Sequence, residues 1–297
     1  MAPLPRNPGA NKQFGVRMTR AASAVADRLS RIGLGRLTRQ ARRLLARLTG
    51  DKLTVQAHGV TITGSFSNHY QYLLQLPDGG PHPYQLELFI DRVRPGTTVA
   101  DVGAHIGVYT TLAATAVGAS GHVIAVEPDA RNAELLRQNL AANDVAERVE
   151  IVEAAASDAN GTVRFFLDQA DATGTMGSLW KDPLATSRPV EMPAVRLDDA
   201  LAAHQPDLVK FDVQGAELAA LRGMEKTLKR SVPETIFVEL NGAALERAGS
   251  SGAELVATLH GFGLTVWLID EGERRLVAVD DDVPGTLATK NLLCPRA

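Results

Sequence analysis

Val99-Ala100-Asp101-Val102-Gly103-Ala104-His105-Ile106-Gly107 carries an acid and two glycines across the point where an apolar run becomes a helical pattern. A strand over Thr98 to Val102 followed by a helix over Ile106 to Val117 is the reading, and open α/β sheets bind ligands at such strand-to-helix turns. Gly103 supplies an unusual backbone angle or lets a ligand approach the main chain. Asp101 puts a negative charge beside that turn, which repels a phosphate and attracts an amine. The G-x-x-x-G spacing of Gly103 and Gly107 also departs from the dinucleotide G-x-G-x-x-G. The loop therefore suits an amino-acid-bearing cofactor better than a pyrophosphate.

Downstream the alternation continues. His122 to Val126 reads as a strand, Asp129 to Ala142 as a helix behind Pro128, and Val149 to Ala154 as a third strand. Strand, helix, strand, helix, strand predicts a parallel sheet. Glu127 ends the second strand 24 residues after Gly103, a position from which an acid accepts hydrogen bonds from ribose hydroxyls. Ser157 and Asp158 follow the third strand, and Asp158 is an acceptor candidate for an adenine amino group, with a turn before Asn160-Gly161 as the plainer reading. Thr162 to Leu167 and Val190 to Arg196 are predicted short strands. Leu208 to Phe211, a helix over Ala216 to Leu228, and Thr235 to Leu240 resume the alternation. A helix near Ala253 to His260 precedes Leu264 to Ile269 and Asn291 to Cys294, expected as an antiparallel edge pair.

Upstream, Leu53 to Leu76 predicts a small β hairpin, and Tyr84 to Val93 a short helix closed by Pro95-Gly96. The expected organisation is a basic arm over 1–50, a small β segment over 51–82 that could cover a site, and the main domain over 83–297. The arm holds eleven Lys/Arg against one acid, Asp27, whereas the chain as a whole is −3, so the remaining residues carry a net −13. An acidic body makes nucleic acid an unfavourable partner. Leu37, Ala41, Leu44, Leu45 and Leu48 lie on one helical face with Arg39, Arg42 and Arg43 opposite, so the arm is the part that could meet an anionic membrane or an acidic partner. The single cysteine, Cys294, excludes an intrachain disulfide and a Cys-based zinc site. With no apolar run of membrane-spanning length, the expectation is a cytoplasmic protein, at most peripheral to a membrane.

From about Pro83 to Cys294 the sequence resembles the FkbM-type S-adenosylmethionine-dependent methyltransferases of the class I superfamily. The resemblance rests on Asp101 to Gly107, Val126-Glu127-Pro128, Arg196-Leu197-Asp198-Asp199, Lys210-Phe211-Asp212-Val213-Gln214-Gly215-Ala216-Glu217, and Phe237-Val238-Glu239-Leu240. It implies a Rossmann-like fold with a mostly parallel seven-stranded sheet and an antiparallel edge hairpin. It also implies S-adenosyl-L-methionine held by Asp101, Gly103, Ala104, His105, Gly107, Glu127, Pro128, Ser157 and Asp158, and methyl transfer to a hydroxyl on a sugar or natural-product scaffold.

Such a transfer needs alignment, exclusion of water and a base for the hydroxyl proton. Asp212 and Glu239 follow the fourth and fifth strands and are the catalytic candidates, with His58, His69 and His82 weaker ones. A divalent cation such as Mg held by Asp212, Glu239 and acceptor hydroxyls is compatible with the same residues. The family commonly has Asn where this chain has His105, and Glu where it has Gln214. A nucleic-acid methyltransferase would account for the basic arm, and a degenerate cofactor-binding scaffold for the loss of a carboxylate at Gln214. An NAD-dependent oxidoreductase is disfavoured by the loop.

Overall fold

The computed structural model describes residues 50–167, 177–178, 188–280 and 289–297. The basic arm and its leucine stripe therefore lie outside the described residues, apart from Gly50. A hairpin of β1 (Lys52–Ala57) and β2 (Val60–Ser65) leads into α1 (Phe66–Gln75), and α2 (Pro83–Arg92) follows. The parallel alternation is β3 (Thr98–Val102), α3 (Val108–Ala116), β4 (His122–Val126), α4 (Ala130–Ala142) and β5 (Val149–Val152). Next come β6 (Ala155–Ser157), β7 (Gly161–Leu167), β8 (Gly177–Ser178), β9 (Arg188–Arg196) and α5 (Leu197–Ala200). The chain continues through β10 (Leu208–Phe211), α6 (Glu217–Gly223), α7 (Glu225–Arg230), β11 (Thr235–Leu240), α8 (Gly242–Arg247) and α9 (Gly252–Gly261). It ends with β12 (Trp267–Asp270), β13 (Arg275–Ala278) and β14 (Lys290–Pro295).

The large sheet has the order β13-β12-β14-β11-β10-β3-β4-β5. From β5 to β11 neighbouring strands are parallel, while β14 runs antiparallel to both β11 and β12. This is the expected Rossmann-like sheet with its antiparallel edge. It has eight strands where seven were expected, because Arg275–Ala278, which follows the polar turn Glu271-Gly272-Glu273-Arg274, pairs with β12 in a hairpin. The strand order reverses between β3 and β10, the switch point at which such sheets open a crevice.

The inner strands are nearly continuous apolar runs because both faces are covered. One face carries Ala100, Val102, Val209, Phe211, Ile236 and Val238 against Leu221, Leu228, Leu255 and Leu259 of the C-terminal helices. The other carries Val99, Val123, Ala125, Leu208 and Phe237 against Phe89, Ala113, Val117, Leu136 and Leu140. Period-2 alternation then puts Asp101, Lys210, Glu239 and Asn291 on the second face, and Asp101 is in register with Lys210, and Glu239 with Asn291. A polar row thus runs across four adjacent strands near the switch point.

Three stretches depart from the sequence expectation. The hairpin ends at Ser65, whose side chain accepts from Asn68 N and caps α1, so Phe66 to Leu76 is not strand. Its apolar residues Phe66, Tyr70, Leu73 and Leu74 follow helical spacing and are buried. The helix read over Ala216 to Leu228 breaks at Met224, where Gly223 packs against the Ser157 carbonyl so closely that a Cβ would sit 1.9 Å from it. The third strand divides into β5 and β6, and β6 joins a separate sheet of order β6-β9-β7-β8.

The hairpin and α1 form a third apolar cluster with Leu86, Ile106, Val108 and Leu112. Its turn has positive φ at both His58 (50°) and Gly59 (84°), the two-residue type I′ geometry. The outer edge of β2 is sealed by two asparagines four residues apart, Asn139 of α4 and Asn143 at its C-cap. Thr63 N and Thr61 N donate to Asn139 Oδ1 and Asn143 Oδ1, each at 2.8 Å, and the amide nitrogens return to Thr63 O (3.0 Å) and Thr61 O (2.7 Å). Asn139 is buried and also donates to Ile106 O at 2.8 Å. Asn139→Ala should cost about 3 kcal/mol, because it strands a strand N–H and two carbonyls away from water. Thermal melting and faster amide exchange at Thr61 and Thr63 are the readouts, and unchanged exchange would show that the hairpin does not depend on this clamp. Among the described residues no helix is long and apolar enough to cross a membrane.

Candidate active site

At the switch point lies a cavity of about 370 Å³. Its floor comes from the ends of β3, β4, β10 and β11, and α1 with the turn at Pro81-His82 lies over it. Asp101, Gly103, Ala104, His105, Glu127, Pro128, Asp212 and Glu239 all line it, so most of the sequence-predicted site converges.

Gly103 has φ +90°, and a Cβ there would lie 2.0 Å from the Asp212 carbonyl oxygen. The glycine therefore permits close approach between the β3 and β10 loops. Gly103 N and Ala104 N both donate to Val126 O, at 2.9 and 3.0 Å, and His105 N donates to Glu127 Oε2 at 2.8 Å. With these N–H groups engaged, the loop is not an open phosphate cradle. His105 has φ +54°, in the left-handed region where Asn and His are both enriched, which explains why it can stand where the family commonly has Asn. Its ring meets His69 and Tyr72 edge-on, with centroids 5.0 and 6.2 Å away.

Two acids mark one end of the cavity. Asp101 is buried and accepts from Thr110 Oγ1 at 2.6 Å through Oδ2, while Oδ1 is buried without a hydrogen-bond partner. Burial raises its pKa, opposed by Lys210. Glu127 also accepts from Asp129 N at 3.0 Å, and burial pushes its carboxyl up to about 7 against these hydrogen bonds. An unpartnered acceptor, a second buried acid and apolar Val126, Ala155 and Ala156 suit a ligand that brings a cation, hydroxyl donors and a flat apolar surface.

The other end is a linked set of charges. Lys210 is buried, its Nζ lies 3.0 Å from Asp212 Oδ2 and 4.5 Å from the Tyr109 ring centre. Gln214 Nε2 donates to Asp212 Oδ1 at 3.0 Å and to Glu239 Oε2 at 2.7 Å. Burial alone would raise Asp212, but Lys210 and the two hydrogen bonds outweigh it and hold the carboxyl below its usual range. Glu239 goes the other way, raised by burial and then by Asp212 and Glu217. The two carboxylates are driven apart in proton affinity, the pattern that separates acid and base roles. Glu217, fully buried, accepts from Gly215 N at 2.9 Å and Val213 N at 3.3 Å, and so holds the turn that carries Asp212 and Gln214.

Some expected residues lie elsewhere. Gly107 does not line the cavity; it has φ +84° and a Cβ there would strike Leu136 Cδ1 at 2.2 Å, so it serves packing. Ser157 and Asp158 are also absent from the lining. Ser157 is buried beneath Gly223, and Asp158 is exposed, because the chain turns into the second sheet at Ala155 and leaves Ala155 and Ala156 facing the cavity. His58 contacts Leu76 O at 3.2 Å and lies outside the lining, and His69 accepts from Ser65 N through Nδ1 at 2.9 Å. His82 does line the cavity. Gln71, Tyr72, Gln75, Tyr109, Asn132, Lys210 and Asn291 do as well and were not singled out from the sequence. Lys210 interrupts an apolar strand, which is the signal that could have found it, whereas Asn291 follows Lys290 at the polar start of β14 and carries no such signal.

His122, Glu150 and His204 form a second cluster at the opposite end of the strands, with His204 Nε2 3.3 Å from Glu150 Oε2. The two imidazoles stack at 4.5 Å with 18° between planes. Lone pairs lie in the ring planes, so stacked rings do not converge on one ion.

The sequence profile described as the methyltransferase FkbM domain matches residues 101–264, more than half of the chain. The chain belongs to the FkbM methyltransferase family. It is thus a class I methyltransferase, a family whose methyl donor is S-adenosylmethionine. Solved structures similar to this methyltransferase include a SAM-dependent O-methyltransferase from Thermotoga maritima (16% identity, TM-score 0.40, 73% of this chain and 65% of that chain). Others are a precorrin-6y C5,15-methyltransferase from Geobacter metallireducens (16%, 0.41, 72% and 88%) and an rRNA methylase from Streptococcus thermophilus (12%, 0.42, 71% and 92%). No curated protein matches the chain.

Proposed function

We propose that the cavity binds S-adenosylmethionine at its Asp101 and Glu127 end and a hydroxyl-bearing acceptor, a sugar or a polyhydroxylated scaffold, at its Asp212 and Glu239 end, making the enzyme an O-methyltransferase. The observation that carries the reading is the pair of carboxylates, split in proton affinity, that shares one cavity with the unpartnered Asp101 Oδ1. S-adenosylmethionine supplies an activated methyl group on a sulfonium when bound. Asp101 receives the ammonium of its amino-acid portion, Glu127 accepts from ribose hydroxyls, and Val126, Ala155 and Ala156 border the base.

Glu239 takes the proton of the acceptor hydroxyl. It is preferred over Asp212, whose two oxygens already accept from Lys210 and Gln214. Gln71, Gln75, His82 and Asn291 add donors and acceptors around the acceptor, which favours a polyhydroxylated compound over an apolar one. The acidic lining disfavours a nucleic-acid phosphate, and the amide nitrogen between Asp212 and Glu239 competes with a divalent cation for that place.

Calorimetry with S-adenosylmethionine and its demethylated product tests the cofactor end. Glu127→Ala should cost about 1.5–3 kcal/mol of affinity. Because burial pushes Glu127 up to about 7 and its ionised form is the stronger acceptor for ribose hydroxyls, wild-type affinity should fall below that point, by at most about tenfold per pH unit, with a proton released on binding. Glu127→Gln should flatten this slope. A wild-type slope that persists in the Gln variant would remove Glu127 from the ribose.

A further inference from the structure

Gln214 has φ +53°, a left-handed conformation that a side chain of this size adopts at a cost. The turn is nevertheless fixed there, with the Glu217 carboxylate accepting from the backbone on both sides. Its side chain reaches two carboxylates at once. A primary amide has a nitrogen that only donates and an oxygen that only accepts, so the nitrogen must face the two acids.

We propose that Gln214 is a positioning residue that, by giving one amide hydrogen to Asp212 Oδ1 and the other to Glu239 Oε2, makes Glu239 Oε1 the oxygen that exchanges the proton. The proposal rests on the reading of Glu239 as the base. Asp212 is then closed on both sides, by Lys210 on Oδ2 and by the amide on Oδ1. Glu239 Oε2 is closed by the amide, so a proton that arrives from an acceptor resides on Oε1. With no donor between them, Asp212 and Glu239 would share a proton across the gap, directed away from the acceptor, as paired carboxylates do.

The charges that face Glu239 are Lys210 of β10, Asp212 beyond it and Glu217 of α6. His105 of the β3 loop and His82 of the cover act on Asp212 from the same cavity. Asn291 of β14, its register partner, is neutral. Gln214 touches two of these acids while Lys210 keeps its own bond to Asp212 Oδ2, so Gln214 is the position at which charge can be changed without removing the lysine's partner.

The test follows the Glu239 carboxyl by infrared titration of the full-length protein without substrate, its band assigned by its loss in Glu239→Gln in each background. Gln214→Glu is nearly the same size and places a third acid at the junction. It should move the Glu239 midpoint up by at least one pH unit, which leaves about tenfold less ionised form at a fixed pH on the rising limb. Gln214→Met, uncharged and without donors, should move it in the same direction by less. The acid limb of the pH dependence of kcat/KM should follow both shifts, while affinity for S-adenosylmethionine stays unchanged. Equal midpoints in wild type and both variants would overturn the positioning role. Shifted midpoints in a protein that methylates no hydroxylated acceptor would instead count against the O-methyltransferase reading and leave the positioning role standing.

Discussion

Gly103→Ala is expected to abolish S-adenosylmethionine binding and to lower the melting temperature by on the order of 10 °C. The new methyl group meets backbone. At φ +90° its Cβ would lie 2.0 Å from Asp212 O and 2.8 Å from Asp212 C, and a carbonyl at the end of a buried strand cannot rotate away. Strain at such a φ costs about 1–3 kcal/mol, and overpacking against a fixed neighbour adds a similar amount or more. The total, about 3–6 kcal/mol, corresponds to that shift for a chain of this size.

Relief requires separating the β3 loop from the β10 loop, which moves Asp101 away from Lys210 and opens the floor of the cavity. Gly118→Ala provides the contrast. Its φ is +68° with nothing within 4 Å of a Cβ, so only the conformational cost of roughly 1 kcal/mol remains. Melting curves of the two variants, with calorimetry on the cofactor product, measure the difference. Equal melting temperatures would mean that the loop contact at Gly103 yields freely.

How far the sequence discloses this architecture depends on how local the cause is. The β3, β4, β10 and β11 runs are apolar enough to announce buried strands, and the acid at Glu127 and glycine at Gly103 belong to single strand-to-helix turns. Long-range partners are what local patterns omit. Asp158 reads as a cofactor acceptor from its place after a strand, but β6 leaves the main sheet to pair with β9 and carries it outward. Gly107 looks like part of a ligand loop until Leu136, 29 positions later, is seen to fill the space above it. The cover formed by α1 was hidden because its helical spacing begins inside a stretch that starts as alternating strand. The register between β3 and β10 that sets Lys210 beside Asp101 is a property of the sheet, and no spacing in the chain encodes it.

Glu239→Gln should reduce kcat by about 10²–10⁴-fold, the range for loss of a general base, with cofactor affinity and fold retained. Retention follows from the contacts: the new amide oxygen can still accept from Gln214 Nε2, and no positive partner is left stranded. Stability should respond in the opposite sense to activity. The folded-state pKa of Glu239 is raised above its unfolded value, so its native carboxyl stays protonated where the unfolded one ionises. That mismatch lowers stability as pH climbs from the usual carboxylate range through the raised value. The Gln variant escapes it and should melt higher than wild type at alkaline pH, with the two converging in acid.

Asp212→Asn should behave differently. Asp212 is held below its usual pKa, so its contribution is present at neutral pH and lost as pH falls through the lowered value. Removing its charge takes away the closest anion of the buried Lys210. Because the Asp212 side chain is itself 39% exposed and water can reach that side of the pair, the loss is about 1–3 kcal/mol, that of one hydrogen bond between charged groups. Activity and melting temperature should therefore fall together in Asp212→Asn and separate in Glu239→Gln. Full activity in Glu239→Gln, measured on an acceptor that the wild type methylates, would transfer the role of base to another group in the cavity.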